Sequence, residues 1–348
     1  MTKAWLKSIV RQSPLPSDPE SLSDLVAFAE AHHVLGQMAT VWQNEATGKL
    51  KDVFENAAIR TAFDHRMLAF EMGRIERALH GTGIAPVLLK GGAYVALELP
   101  ASEGRRVADI DILVAEDDLE QTENRLKEAG WAFEETTDNE YDQAYYREFM
   151  HELPPLRHIR RRTVVDVHHR ILPRTSRVLV KNDMLIDAAQ HLKGRELRTF
   201  QPVDLFIHSS VHSFADGSFD TPARSLVELY FLFSGLSEAD KSALAERSVT
   251  VGASMPVATA LWALNEFFGE KVPGVGADSM IKPASALVRG AFRAKLENIS
   301  GAYFAKLILY VRSHYLRMPI PQLALHLMRK AARQLVNAVK REDPLKSQ

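Results

Sequence analysis

The segment Val107-Ala-Asp109-Ile-Asp111-Ile-Leu113-Val114 alternates in side-chain character with a period of two. That period is the mark of a β-strand with two unlike faces. Ile110, Ile112 and Val114 fall on one face, Asp109, Asp111 and Leu113 on the other. A strand rises about 3.3 Å per residue, so the two carboxylates stand about 6–7 Å apart. Like charges that close repel unless one is protonated or a cation lies between them. A hard divalent ion held by carboxylates and phosphate oxygens is a natural relief. Taken alone, Asp-x-Asp also describes two solvated side chains on an exposed strand face.

The neighbouring segments add chemistry. Upstream, the apolar run Pro86-Val-Leu-Leu ends in Lys90-Gly91-Gly92, and Ala93–Leu99 reads as one or two turns of helix. Adjacent glycines let backbone N–H groups approach phosphate oxygens, and a helix start favours anions. The same pair also marks an ordinary turn. Arg105-Arg106 offers charge to a triphosphate, or lies in a solvated loop. Downstream, Asp117–Ala129 is amphipathic and stops at Gly130. Strands are expected at Trp131–Phe133, Tyr145–Phe149, Leu156–Arg160, Thr163–His169 and Glu196–Phe200. Within Val164-Val-Asp166-Val-His168 the alternation returns, and Asp166 and His168 share a face. A third carboxylate on a neighbouring strand completes a site for two metal ions, the arrangement suited to in-line phosphoryl or nucleotidyl transfer.

Gly-Gly, then Asp-h-Asp-h with h apolar, then a third h-Asp-h strand resembles the nucleotidyltransferase superfamily typified by DNA polymerase β. Closer still is the resemblance of Leu88-Leu-Lys90-Gly91-Gly92, Arg106-Val-Ala-Asp109-Ile-Asp111, Leu126-x3-Gly130-Trp131 and Val165-Asp166-Val-His168 to its Leu-Lys-Gly branch. That branch is a largely uncharacterised bacterial nucleotidyltransferase family. His151-x-Leu-Pro-Pro-Leu and Pro202-x-Asp204-Leu-x3-Ser209-x2-His212 are similar to its patterns, and the match spans roughly residues 84–235. The resemblance implies that Asp109, Asp111 and Asp166 are catalytic and ligate Mg²⁺ (or Mn²⁺), with Asp166 helping to activate the attacking hydroxyl. It implies that Lys90, Gly91, Gly92, Arg106, His168 and His212 bind the nucleotide. Two positions depart from the pattern: Ala93 stands where the superfamily usually has Ser, and His169 where this branch would have an aromatic.

Composition frames that reading. The 348 residues carry 43 Lys+Arg against 44 Asp+Glu, so nucleic-acid contact would need a local patch rather than an overall basic field. There is no Cys, which removes thiolate catalysis and thiolate-ligated metals. No signal-peptide pattern and no long uncharged apolar run is present, so a cytoplasmic protein without a membrane partner is expected. Helical patterns flank the strand-rich region: about Lys49–His80 before it, and Val203–Phe214, Ala223–Phe233, Glu238–Glu246, Met255–Phe268, Ser300–Arg312 and Pro321–Lys340 after it. Asp204, His208 and His212 share a helical stripe, although no His-Glu-x-x-His pattern marks them as zinc ligands. Arg157–Arg177 holds seven Arg and one acidic residue, either a phosphate or RNA contact or a charged strand edge.

The expected architecture is therefore α+β: a polymerase-β-like core with a mixed sheet over 84–200, between helical regions at 1–83 and 201–348. The expected function is transfer of a nucleoside monophosphate from a triphosphate such as ATP to an unknown acceptor hydroxyl on a small molecule, RNA or protein. The alternative is a catalytically inactive nucleotide- or partner-binding protein on the same fold.

Overall fold

The computed structural model describes residues 2–133, 150–217, 219, 221–270, 280–297, 302–317 and 320. The expected strand Tyr145–Phe149 and helix Pro321–Lys340 lie outside these residues. Among the described residues the chain forms thirteen α-helices and one seven-stranded mixed sheet, the α+β architecture expected.

Four helices come first: α1 (Thr2–Arg11), α2 (Pro19–Ala31), α3 (Leu35–Trp42) and α4 (Gly48–Leu79). Asp18 caps α2 by accepting from the Ser21 N–H at 2.8 Å. α4 buries Phe54, Ala57, Leu68, Met72, Ile75 and Leu79 along one stripe, as a 3.6-residue period requires. It stops where Gly81 takes a positive φ of 78°. The N-terminal helices meet the core at one tight point. A Cβ on Gly36 in α3 would fall 2.0 Å from the Gly104 carbonyl oxygen, so only glycine lets these backbones touch.

The sheet runs β3-β4-β5-β2-β1-β7-β6, from β1 (Val87–Leu88), β2 (Asp109–Leu113), β3 (Trp131–Phe133), β4 (Leu156–His158), β5 (Val164–His168), β6 (Gln190–His191) and β7 (Arg198–Thr199). β2 lies between β1, antiparallel to it, and β5, parallel to it. Ile112, Val165 and Val167 are fully buried and Ile110 nearly so. At about 1.5–3 kcal/mol per buried aliphatic side chain, this face fixes the strand register and leaves the opposite face to the carboxylates. α5 (Lys90–Ala96) follows β1 and α6 (Leu119–Glu128) follows β2.

After α7 (Asn182–Ala188) the chain is helical: α8 (Pro202–Val211), α9 (Pro222–Ser234), α10 (Glu238–Thr250), α11 (Ser254–Phe268), α12 (Ala286–Leu296) and α13 (Ala302–Arg317). α8 packs against α9, α10, α11 and α5, and widens into a π-helical turn at His212–Asp216. α1 crosses to this region, packing on α9 and α11, and Arg11 donates to the Phe268 carbonyl at 2.8 Å. Among the described residues no helix is long and apolar enough to cross a membrane.

Candidate active site

β2 and β5 pair in register, with Asp109 opposite Val164, Asp111 opposite Asp166 and Leu113 opposite His168. Because side chains alternate faces, this register gathers Asp109, Asp111, Asp166 and His168 on the same side of the sheet. Asp111 is 6% exposed, Asp166 half-buried and Asp109 exposed.

The three carboxylates differ in charge state because their neighbours differ. Burial alone would raise Asp111, but Lys90 and His168 outweigh it and hold this carboxyl well below the usual range. Lys90 Nζ lies 2.7 Å and His168 Nε2 3.0 Å from Asp111 Oδ1. Among the described residues no cation forms an ion pair with Asp166. Burial, followed by the charges of Asp111, Glu152 and Asp109, pushes it up to about 7. Its Oδ1 is buried and without a hydrogen-bond partner among the described residues. Burial and Asp111 also raise Asp109. A buried polar atom left unpaired costs about 1–3 kcal/mol. Three carboxylates, one with an orphaned oxygen, make a donor set that fits a hard divalent cation.

Lys90 reaches Asp111 from a strained start. Its φ of 46° lies in the left-handed region, which costs an L-residue about 1–2 kcal/mol. Such strain persists where surrounding contacts fix it, and here the buried ion pair with Asp111 is the contact.

The glycines sit differently from the sequence expectation. α5 begins at Lys90, three residues earlier than the predicted turns, so Gly91 and Gly92 form its first turn. Both are buried. A Cβ on Gly91 would fall 1.9 Å from Arg105 Nη1, whereas one on Gly92 would meet Leu88 at an ordinary 3.7 Å. Gly91 thus makes room for Arg105. That arginine is neither a triphosphate contact nor a solvated loop residue: it is buried, and its Nε donates to Glu228 Oε1 at 2.8 Å. Arg106 pairs with Asp64 of α4 and lines a cleft of about 320 Å³ together with Asp109.

Three further groups complete the site from the far side. Glu152 forms a β-bridge to His168, and its Oε2 lies 3.3 Å from His168 Nε2. Burial opposes a charged His168, but Asp111 and Glu152 outweigh it and raise this imidazole. Asp216 accepts from His212 Nδ1 at 3.3 Å and stands 4.0 Å from His151 Nε2. The His151 and His168 rings are 5.4 Å apart, so His212 connects to the carboxylates through Asp216, His151 and His168. Burial pushes His151 down to about 4. His151, Glu152 and His168 each bring one donor atom within 4.8 Å of the others.

Glu152 and Asp216 have no part in the sequence expectation, although signals existed. Glu152 is the unassigned position of His151-x-Leu-Pro-Pro-Leu, and Asp216 follows His212 by one helical turn. The Asp204, His208 and His212 stripe is dispersed. Asp204 takes a bidentate pair from Arg247 at 2.9 and 2.7 Å, and His208 is buried against Phe200 with its pKa pushed well down by burial. The Arg157–Arg177 run divides as well. Arg161 pairs with Glu71 and lies over Trp131, Arg170 and Arg174 pair with Glu116, and Arg177 donates to the Tyr315 carbonyl.

No curated protein matches the chain. A family model described as an uncharacterised nucleotidyltransferase matches residues 18–269, which takes in α2 through α11 and every site residue named above. A divalent metal and a nucleotide substrate are usual for nucleotidyltransferases, and the sheet, its carboxylates and the flanking helices all fall within the matched span. The chain is a member of this uncharacterised nucleotidyltransferase family.

Proposed function

We propose that the protein transfers a nucleoside monophosphate from a nucleoside triphosphate to an acceptor hydroxyl, releasing pyrophosphate, with Mg²⁺ or Mn²⁺ as cofactor. The observation that carries this reading is the in-register Asp111–Asp166 pair with Asp109 two residues along the same strand face. Asp109, Asp111 and Asp166 would hold the divalent ions. Such an ion, when bound, neutralises charge on the transferring phosphoryl group and aligns the reacting oxygens.

The remaining work belongs to side chains of this protein. Lys90 keeps Asp111 ionised, and His168, buried between Asp111 and Glu152, positions that carboxylate rather than touching the nucleotide. Asp166 takes the proton from the acceptor hydroxyl. The hydroxyl oxygen then bonds to the α-phosphorus, and the bond from that phosphorus to the bridging oxygen of the β-phosphate breaks. Gly91 and Gly92 contribute backbone N–H groups only, since both side-chain positions face the protein interior. Arg106 stands at the cleft beside Asp109, and His212, 44% exposed, is the accessible imidazole for the nucleotide. Most of the rate gain comes from alignment and charge stabilisation. A triphosphate donor suits a cytoplasmic protein, and ATP is the first donor to try.

Asp109→Asn and Asp111→Asn should each abolish transfer of label from an α-labelled nucleoside triphosphate while leaving the circular dichroism spectrum unchanged. Full activity in either variant overturns the assignment. The second reading, a catalytically inactive nucleotide-binding protein, is favoured by the Lys90 ammonium seated on Asp111 and by Ala93 in place of the usual hydroxyl. Metal-dependent nucleotide binding with no turnover on any acceptor would select it.

A further inference from the structure

On α4, a period of about 100° per residue places Ile59, Phe63, Met67, Phe70 and Arg74 within about 40° of one direction. This is not the buried stripe: Ile59 is 65%, Phe63 54% and Phe70 51% exposed. Arg60 and Arg66 flank the rings on the same face and are exposed. The Arg74 and Arg161 guanidinium carbons lie 5.8 and 5.9 Å from the Phe70 ring centroid. The three acidic residues between Ile59 and Arg77, namely Asp64, Glu71 and Glu76, are each paired with an arginine from elsewhere: Arg106, Arg161 and Arg195. Arg60, Arg66 and Arg162 have no acidic partner among the described residues. A chain of net charge -1 thus carries a locally cationic face with interleaved aromatic rings.

That face leads to Asp109. The cleft of about 320 Å³ has Phe63 and Met67 in one wall, Arg106, Arg162 and Thr163 in the other, and Asp109 in its lining. Its volume is at the lower end for small-ligand pockets and holds one terminal unit rather than a duplex end.

We infer that the acceptor is a single-stranded polynucleotide, lying along α4 with its terminal sugar hydroxyl in this cleft. Exposed rings stack on bases without regard to sequence, and unpaired arginines meet the phosphates. An acidic protein would satisfy the arginines but would leave Phe63 and Phe70 without a function. The inference rests on the transfer reading above. The terminal oxygen bonds to the α-phosphorus of the nucleoside triphosphate, its proton passes to Asp166, and pyrophosphate leaves, lengthening the strand by one nucleotide.

The test is fluorescence anisotropy of a labelled single-stranded 12-nucleotide RNA, and of the matching DNA, against the full chain in EDTA without nucleotide. Phe63→Ala/Phe70→Ala should weaken binding at least about tenfold, from the typical stacking contribution per base. The three unpaired arginines, Arg60, Arg66 and Arg162, on phosphates give a slope of log K against log salt near about −2, falling to about −0.7 in Arg60→Ala/Arg162→Ala. All four positions are exposed or at the cleft mouth, and thermal melts confirm that the variants fold. RNA-only binding assigns a ribose acceptor, and equal binding of DNA assigns any strand terminus; both support the inference. No binding at low salt, unchanged binding in both variants, or equal and ring-dependent binding of a polyglutamate peptide overturns it. Since binding is read without nucleotide or metal, a failure of the transfer chemistry leaves this result standing. A failure here leaves transfer to another acceptor intact.

Discussion

Replacing Asp166 with Asn should stabilise the metal-free protein while destroying its activity. The carboxyl is pushed up to about 7 by burial and by three neighbouring carboxylates, from an ordinary value of 3.8. The folded form therefore binds a proton more tightly than the unfolded form. Stability from this group is full below about pH 4 and is lost as pH rises through 7. The full difference is about three pKa units, or about 4 kcal/mol at 1.36 kcal/mol per unit. Relaxation and counterion uptake at a half-buried side chain reduce this to about 2 kcal/mol in practice. Asn has no charge to lose, so at pH 8 in EDTA the variant should melt about 2–3 °C above the native protein. At pH 5 the gap should shrink, because the folded carboxyl then takes up a proton while the unfolded one stays mostly ionised. Mg²⁺ should raise the native melting temperature and narrow the gap. Differential scanning calorimetry at the two pH values, with and without Mg²⁺, measures all of this. A variant that melts at or below the native protein at pH 8 in EDTA refutes the argument that Asp166 is a stressed carboxylate held for function.

Other expectations follow from the packing. Arg105→Ala leaves the buried Glu228 carboxylate with Arg224, 3.5 Å away, as its remaining partner and should cost about 2–3 kcal/mol, whereas Arg106→Ala, at a more exposed pair, should cost about 1 kcal/mol or less; urea titrations compare them. Gly91→Ala should lower the melting temperature by several degrees because its Cβ displaces the Arg105 guanidinium, and Gly92→Ala should fold and melt nearly as the native protein does. His168→Ala should lower kcat far more than it raises the KM for nucleotide if it positions Asp111, and the reverse split would place it at the nucleotide.

What the sequence made legible is what repeats locally. The alternation across Asp109–Leu113 and Val164–His168 is a short-range pattern that sterics impose on any strand, and the same holds for the long apolar stripe of α4. The family signature combines such local patterns, and the family match agrees with it. The groups that lay out of reach are paired across long stretches of chain. Arg105 meets Glu228 123 residues later, and Glu71 of α4 meets Arg161 across 90. Neither pair leaves a periodic trace. That Gly91 makes room for Arg105 could not be read, because a glycine freed for a ligand and a glycine freed for a neighbouring arginine look identical in a sequence. α12 escaped notice because Arg289, Gly290, Arg293 and Lys295 break up its apolar pattern, and only Ala291, Phe292 and Leu296 of it are buried. His212 meets Asp216 where the helix widens into a π-turn at His212–Asp216, a local distortion with no residue code of its own.

Titration calorimetry of the four nucleoside triphosphates with Mg²⁺, on the native protein and on Asp109→Asn/Asp111→Asn, tests the carboxylate site most directly. Metal-dependent binding of at least one nucleotide to the native protein and its loss in the double variant are expected. Binding that survives unchanged in the variant, or no binding to either protein, would contradict it.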